Sequence, residues 1–163
     1  MPETKPQAPD PLAEGQPAPI SPLPRDGGGT VTLSAMRPGK VVLYFYPKDD
    51  TSGCTTEALD FTRLVAEFAA ADTTIIGLSK DSVAAHDKFC AKHGLGIILA
   101  SDAEATVCED YGVWGEKKLY GRAYMGIERT TFLVDGAGRI ARVWPKVKVA
   151  GHAEQVLAAA RAL

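Results

Sequence analysis

Three cysteines in 163 residues, Cys54, Cys90 and Cys108, are too few and too scattered to staple a disulfide scaffold. No apolar run is long enough to span a membrane, and the opening Met1-Pro2-Glu3-Thr4-Lys5-Pro6 lacks the apolar core of a signal peptide. Net charge is nearly absent too. A formal −2 with 23 % charged residues gives no basic surface for nucleic acid or another polyanion. A reducing cytoplasm is the expected compartment, and the length suits one domain with a core of its own.

What the chain does have is one chemically loaded junction. The apolar run Val41-Val42-Leu43-Tyr44-Phe45-Tyr46 predicts a buried strand that stops at Pro47, which has no N–H to give to a sheet. A polar loop with Thr51, Ser52 and Gly53 follows, and then Phe61, Leu64, Val65 and Phe68 fall on one helical stripe. Cys54 is thereby placed in the first turn of a helix that follows a buried strand. Unpaired backbone N–H groups and the positive end of the helix dipole favour a thiolate there. A free thiol titrates near ~8.5, and a helix N-terminus with a cationic neighbour brings that to roughly 3.5–7.5.

Around this junction the pattern alternates strand and helix. Residues 1–13 carry four of the eleven prolines and predict a disordered tail, ahead of a domain over 14–163. Ile20 and Leu23 are expected against that domain, and Val31-Thr32-Leu33 is a short strand after a glycine turn. The helix that Cys54 opens is expected over about 54–70, and a strand over 73–79 follows it. Asp81 or Ser82 caps a second helix ending at Gly94, and Ile97-Ile98-Leu99 is a strand. Asp102 caps a third helix that ends near Gly112, and 113–128 is read as a long glycine-rich loop. Strands at 130–134 and 139–144 form a hairpin, and Ala153, Val156, Leu157 and Ala160 mark a closing helix. The order predicts an α/β sandwich with a mixed central β-sheet flanked by helices.

The spacing Pro47-x-x-x-Thr51-x-x-Cys54 resembles the peroxiredoxin active-site motif. Its surroundings, Tyr44 to Glu57, resemble the bacterioferritin-comigratory-protein (PrxQ) subfamily. Two distant stretches, Tyr111 to Lys117 and Gly126 to Asp135, agree, so the resemblance covers roughly 14–163. It implies a thioredoxin-like fold and a thiol peroxidase for hydrogen peroxide and organic hydroperoxides, with thioredoxin or glutaredoxin as reductant. It implies no metal, haem or flavin cofactor. With no C-terminal extension carrying a second cysteine, a monomer is expected.

The same resemblance assigns residues. Cys54 is the peroxidatic nucleophile, which a peroxide converts to a sulfenic acid. The Thr51 hydroxyl bonds the thiolate and the peroxide, although a helix cap fits the same spacing. Pro47 shields the site from water. Arg129 is the active-site cation, and Glu57 either orients it or is the acidic residue that a helix's first turn favours. Many members carry a second, resolving cysteine five residues after the nucleophile. Here that position is Leu59. Cys90, 36 residues after Cys54, matches the variant in which the resolver sits on the next helix. Resolution by an external thiol is the alternative, and Cys108, on a stripe with Val107 and Tyr111, is read as core. The reduced state is expected to hold Cys54 and Cys90 apart, so that both helices must partly unwind before a disulfide closes.

Ser52 stands where the subfamily often has proline, which loosens the loop. His86, Cys90 and His93 share one helix face, but a metal there would need a fourth partner that the sequence does not offer. Lys117, Lys118 and Arg122 read as a solvated patch. Trp114, Tyr124 and Met125 either wall an apolar approach or pack elsewhere. Competing functions fit less well. A disulfide oxidoreductase needs a second cysteine at the helix start, a Cys–His hydrolase needs a placed histidine, and a binding module would not need Thr51, Cys54 and Arg129 together.

Overall fold

The computed structural model describes residues 8–19 and 21–163. In chain order these form β1 (Leu23–Pro24), β2 (Thr30–Val31), a 3-10 turn (Leu33–Met36), β3 (Lys40–Phe45), α1 (Ser52–Arg63) and α2 (Val65–Ala70). There follow β4 (Thr73–Ser79), α3 (Val83–His93), β5 (Ile98–Ser101) and α4 (Val107–Asp110). The last elements are β6 (Trp114–Leu119), β7 (Arg122–Ile127), β8 (Thr130–Val134), β9 (Ile140–Trp144) and α5 (His152–Ala162).

The apolar run of β3 is buried on both faces because it lies in the middle of a five-stranded sheet of order β5-β4-β3-β8-β9. β3, β4 and β5 run parallel, each pair joined through helices, while β8 and β9 return antiparallel. Alternation then sorts the side chains. Val41, Leu43 and Phe45 face one core with Phe132, Tyr111 and Val113. Val42, Tyr44 and Tyr46 face the other with Cys54, Phe61, Phe68, Phe89 and the α5 residues Val156 and Leu157. This is the mixed sheet flanked by helices that the sequence pattern predicts.

Several expected elements differ in form. The helix over 54–70 is two helices, because Leu64 leaves helical geometry at φ −99° and ψ 3°, and the first begins at Ser52. The strand at 31–33 ends at Val31, and Leu33 opens the 3-10 turn. The third helix shrinks to one turn, since the Asp102 carboxylate takes the N–H groups of Val107 and Cys108, several residues beyond an ordinary cap position. The loop expected over 113–128 is a hairpin, β6 against β7, in a separate two-stranded sheet. Its turn holds Tyr120 and Gly121, both at positive φ (49° and 77°), the geometry that suits a two-residue hairpin connection. Most of its residues stay accessible on both faces, so no apolar alternation marked it as strand.

Of the tail expected over 1–13, residues 1–7 lie outside the described residues, as does Ile20. Residues 8–13 have no regular secondary structure, yet the Leu12 N–H donates to the Tyr111 carbonyl and its side chain packs on the core. Leu23 is buried. Among the described residues, no helix is long and apolar enough to cross a membrane.

Candidate active site

Cys54 is the third residue of α1, directly after the loop that leaves β3 at Pro47. The first helical hydrogen bond runs from the Thr55 N–H to the Thr51 carbonyl, so the earlier amides at the sulfur's end of the helix have no helical acceptor. The side chain of Cys54 turns inward to the sheet and is 1 % exposed. Over it lies Arg129, from the short link between β7 and β8, whose carbonyl accepts from the Val147 N–H. Arg129 Nη2 donates to Cys54 Sγ at 3.3 Å, and Nη1 donates to Glu57 Oε1 at 2.7 Å. Gly53 eases this approach, because a Cβ there would stand 3.2 Å from Nη2 and the guanidinium would have to give way by a few tenths of an ångström.

Glu57 lies one helical turn beyond Cys54 and is itself 1 % exposed. Burial pushes its carboxyl up to about 7, against the pull of the Arg129 guanidinium. Arg129 stays cationic: burial opposes its charge, but Glu57 and Cys54 together hold it above its ordinary value. Glu57 Oε2 and the Tyr44 hydroxyl are buried without a hydrogen-bond partner among the described residues. Burial first, and then the nearby Glu57 and Cys54, hold the Tyr44 phenol well above its usual range, so it is a neutral group. Its ring stacks on Phe61 at 4.8 Å and reaches across Gly77, where a Cβ would come within 2.7 Å of the phenol.

The other residues singled out from the sequence are placed less directly. Thr51 is the N-cap residue of α1 without a side-chain cap; its hydroxyl is exposed and donates to the Lys48 carbonyl at 3.1 Å rather than to sulfur. Pro47 is exposed at the mouth of the loop. Cys90 is half-buried near the end of α3, its Sγ facing Asp26 Oδ2 at 3.8 Å. Burial, and then Asp26, push this thiol up to about 12. Cys108 is fully buried, and burial followed by Asp102 raises it further still. All three cysteines are free, and Cys54 and Cys90 each face a different partner.

The helix face of His86, Cys90 and His93 does find acidic neighbours, which the sequence did not disclose. They are separate ones: His86 Nδ1 lies 2.7 Å from Asp49, and His93 Nε2 lies 2.8 Å from Asp50. Trp114 packs partly buried on the core under Lys80, whereas Tyr124 and Met125 stay exposed on the hairpin. Lys117 leaves the expected solvated patch to bond the Ile127 carbonyl and pair with Glu128. Sequence reasoning passed over Tyr44, Asp26 and His152. His152 sits under the site, bonded to Thr131 and edge-on to Phe61, and burial followed by Arg129 pushes it down to about 4. Tyr44 belongs to the stretch that carries the resemblance but was given no role there, and no local motif marks Asp26, between β1 and β2, or His152, at the start of α5.

A buried thiol held by a fixed guanidinium, itself braced by a carboxylate, can attack a polar O–O bond and disperse the charge that develops. Comparison with known proteins agrees with this chemistry. Residues 14–143 match the AhpC/TSA family. Peroxiredoxin Bcp of Xanthomonas campestris is 50 % identical over 141 residues, 86 % of this chain and 88 % of that one. Peroxiredoxin Bcp of Bacillus subtilis is 50 % identical over 143 residues, 88 % of this chain and 91 % of its own. Among solved structures, Xanthomonas campestris bacterioferritin comigratory protein, described for its alkyl peroxide reduction activity, superposes with a TM-score of 0.83 at 48 % identity, covering 87 % of this chain and 90 % of that one. Xylella fastidiosa PrxQ gives 0.83 at 41 % identity over 98 % of both chains.

Proposed function

Because the chain belongs to the AhpC/TSA family and is a peroxiredoxin of the Bcp (PrxQ) type, a thiol peroxidase, we propose that Cys54 and Cys90 carry its catalytic cycle between them. The Cys54 thiolate attacks the terminal oxygen of hydrogen peroxide or an alkyl hydroperoxide. The O–O bond breaks, water or alcohol leaves after taking a proton, and Cys54 becomes a sulfenic acid. Arg129 keeps its charge throughout and donates to the sulfur and to the oxygens as they become negative. Glu57 holds the guanidinium in that orientation, Pro47 limits water at the mouth, and the Thr51 hydroxyl turns from the Lys48 carbonyl to the bound peroxide. Activity on alkyl hydroperoxides is supported by the Xanthomonas relative.

Cys90 then gives up its proton and attacks the Cys54 sulfur, the S–O bond breaks, the departing hydroxide takes up a proton and leaves as water, and a disulfide joins α1 to α3. A small dithiol protein, thioredoxin or glutaredoxin, reduces that bond in a monomeric, cytoplasmic enzyme. Before the bond closes, the first turn of the Cys54 helix and part of the Cys90 helix unwind, a reading supported by each thiol having its own neighbour in the reduced state, Arg129 for Cys54 and Asp26 for Cys90.

The observation that carries the reading is the Arg129 Nη2 to Cys54 Sγ hydrogen bond of 3.3 Å. Treatment with one equivalent of peroxide followed by mass mapping should find Cys54 joined to Cys90. Cys54→Ser should consume no peroxide while its circular dichroism stays native. A bond from Cys54 to Cys108, or near-normal turnover in Cys54→Ser, would remove the assignment.

A further inference from the structure

The loop between Pro47 and Thr51 carries two aspartates, and both are tied to α3, the helix of Cys90. The inner tie is buried: Asp49 Oδ2 lies 2.7 Å from His86 Nδ1, with His86 fully buried and the Asp49 side chain 7 % exposed. His86 Nε2 lies 2.9 Å from the Ala100 carbonyl, so both ring nitrogens face oxygen atoms; burial opposes a charge on the ring, but Asp49 holds it above its ordinary value. The other carboxylate oxygen of Asp49 accepts from the Tyr46 hydroxyl at 2.5 Å, and the Asp49 N–H donates to Asp81 at 2.9 Å. The outer tie is exposed. Asp50 meets His93 Nε2 at 2.8 Å through Oδ1 and Lys92 Nζ at 2.6 Å through Oδ2.

His86 is four residues before Cys90 and His93 three after it, so the two ties bracket the cysteine on one helix face. Loop and helix also face each other across an open groove of about 230 Å³, lined by Lys48, Asp49, Asp50, Ala85, Phe89 and Lys92. Asp50 also sits at φ 61°, a conformation uncommon outside glycine, next to the N-cap residue of the Cys54 helix. The polar ties therefore fasten the helix that must release Cys90 to the loop that forms the mouth of the Cys54 site.

We propose that the Asp49–His86 and Asp50–His93 pairs are a latch that keeps α3 docked on this loop, and that release of the latch sets the rate at which Cys90 reaches the Cys54 sulfenic acid. The proposal rests on the reading of Cys90 as the resolving residue. In that step the Cys90 sulfur attacks the Cys54 sulfur, the S–O bond breaks, hydroxide leaves and takes up a proton, and a disulfide forms with no outside oxidant. While the latch holds, the sulfenic acid waits, and a second peroxide can carry it to sulfinic acid. The four residues are positioning residues: they touch no reacting atom and act through the helix. A firm latch trades fast resolution for a lasting oxidised intermediate.

The test is a rapid-mixing comparison of wild type with Asp50→Asn and His93→Gln, which disturb the exposed tie and leave the buried one in place. Three quantities are read by quenching and mass analysis: the rate of sulfenic acid formation, the rate of disulfide closure, and the sulfinic fraction in excess peroxide. Loss of the exposed outer tie should speed closure by about two- to fivefold. The sulfinic fraction should fall accordingly, while the first step keeps its rate. A helix that merely lost stability near the site would slow the first step as well. Closure that is unchanged or slower in both variants, or a first step that falls in both, overturns the latch. If Asp50→Asn does not fold, His93→Gln decides, because it leaves the loop sequence intact. Absence of any Cys54–Cys90 bond in wild type would instead sink the resolver reading, and the latch with it.

Discussion

Replacing Glu57 by Gln should change how this protein's stability depends on pH, in a direction that the buried geometry determines. The carboxyl titrates at 4.5 when solvated and at about 7 in the folded chain, chiefly because burial disfavours its charge. Between those pH values the folded state keeps a proton that the unfolded state has lost. Stability therefore falls as pH rises from about 4.5 to about 7, by on the order of 3 kcal/mol in total. Glu57→Gln keeps an oxygen for Arg129 Nη1 but has no proton to lose. Its buried amide hydrogens, standing where Oε2 has no partner, cost about 1–3 kcal/mol at every pH. That constant cost cancels when one pH is compared with another. Thermal melts of both proteins at pH 4 and pH 8 make the measurement. Relative to wild type, the variant should gain about 6–12 °C between the two, at about 2–4 °C per kcal/mol for a chain of this size. A difference in melting temperature that is the same at both pH values would refute the reasoning, since Glu57 would then ionise as readily folded as unfolded.

Arg129→Ala should slow sulfenic acid formation by about 10²–10³ while leaving the fold intact, as measured by stopped-flow with hydrogen peroxide. An unchanged rate removes Arg129 from the reaction. Asp26→Asn should bring the Cys90 thiol below about 12 while burial, the larger cause, still holds it above an ordinary cysteine. Alkylation rate against pH reads this, and an unmoved profile means that Asp26 has no part in holding Cys90 protonated.

Much of the molecule was legible because local chemistry and tertiary structure agree. The run Val41 to Tyr46 is apolar at every position, which suits a central strand covered on both faces, and there it lies. Ser82 and Gly94 bound α3 as a capping oxygen and a left-handed C-cap, both readable from residue type. The hairpin over 114–127 was not legible, because its strands bury neither face in the main core and so carry no alternation. The break at Leu64 was hidden as well, since apolar spacing continues across it from Phe61 to Phe68.

For the site the division follows sequence distance. A strand, a proline stop and a polar loop, read locally, are enough to put Cys54 in the first turn of a helix, because strand ends and helix starts depend on residues within a few positions. Which residues meet that sulfur is a different kind of fact. Arg129 arrives from 75 residues away because β8 pairs antiparallel with β3, and Glu57 can brace it because α1 lies over that pair. The histidine and aspartate partners across the groove depend on how α3 docks beside the loop, a packing outcome that no spacing within either segment encodes. The chain itself places Cys54 at the helix end that presents it, and its resemblance points to Arg129; only the packed sheet brings that guanidinium onto the sulfur, raises the Glu57 carboxyl by burial, and gives Cys90 a neighbour of its own in Asp26.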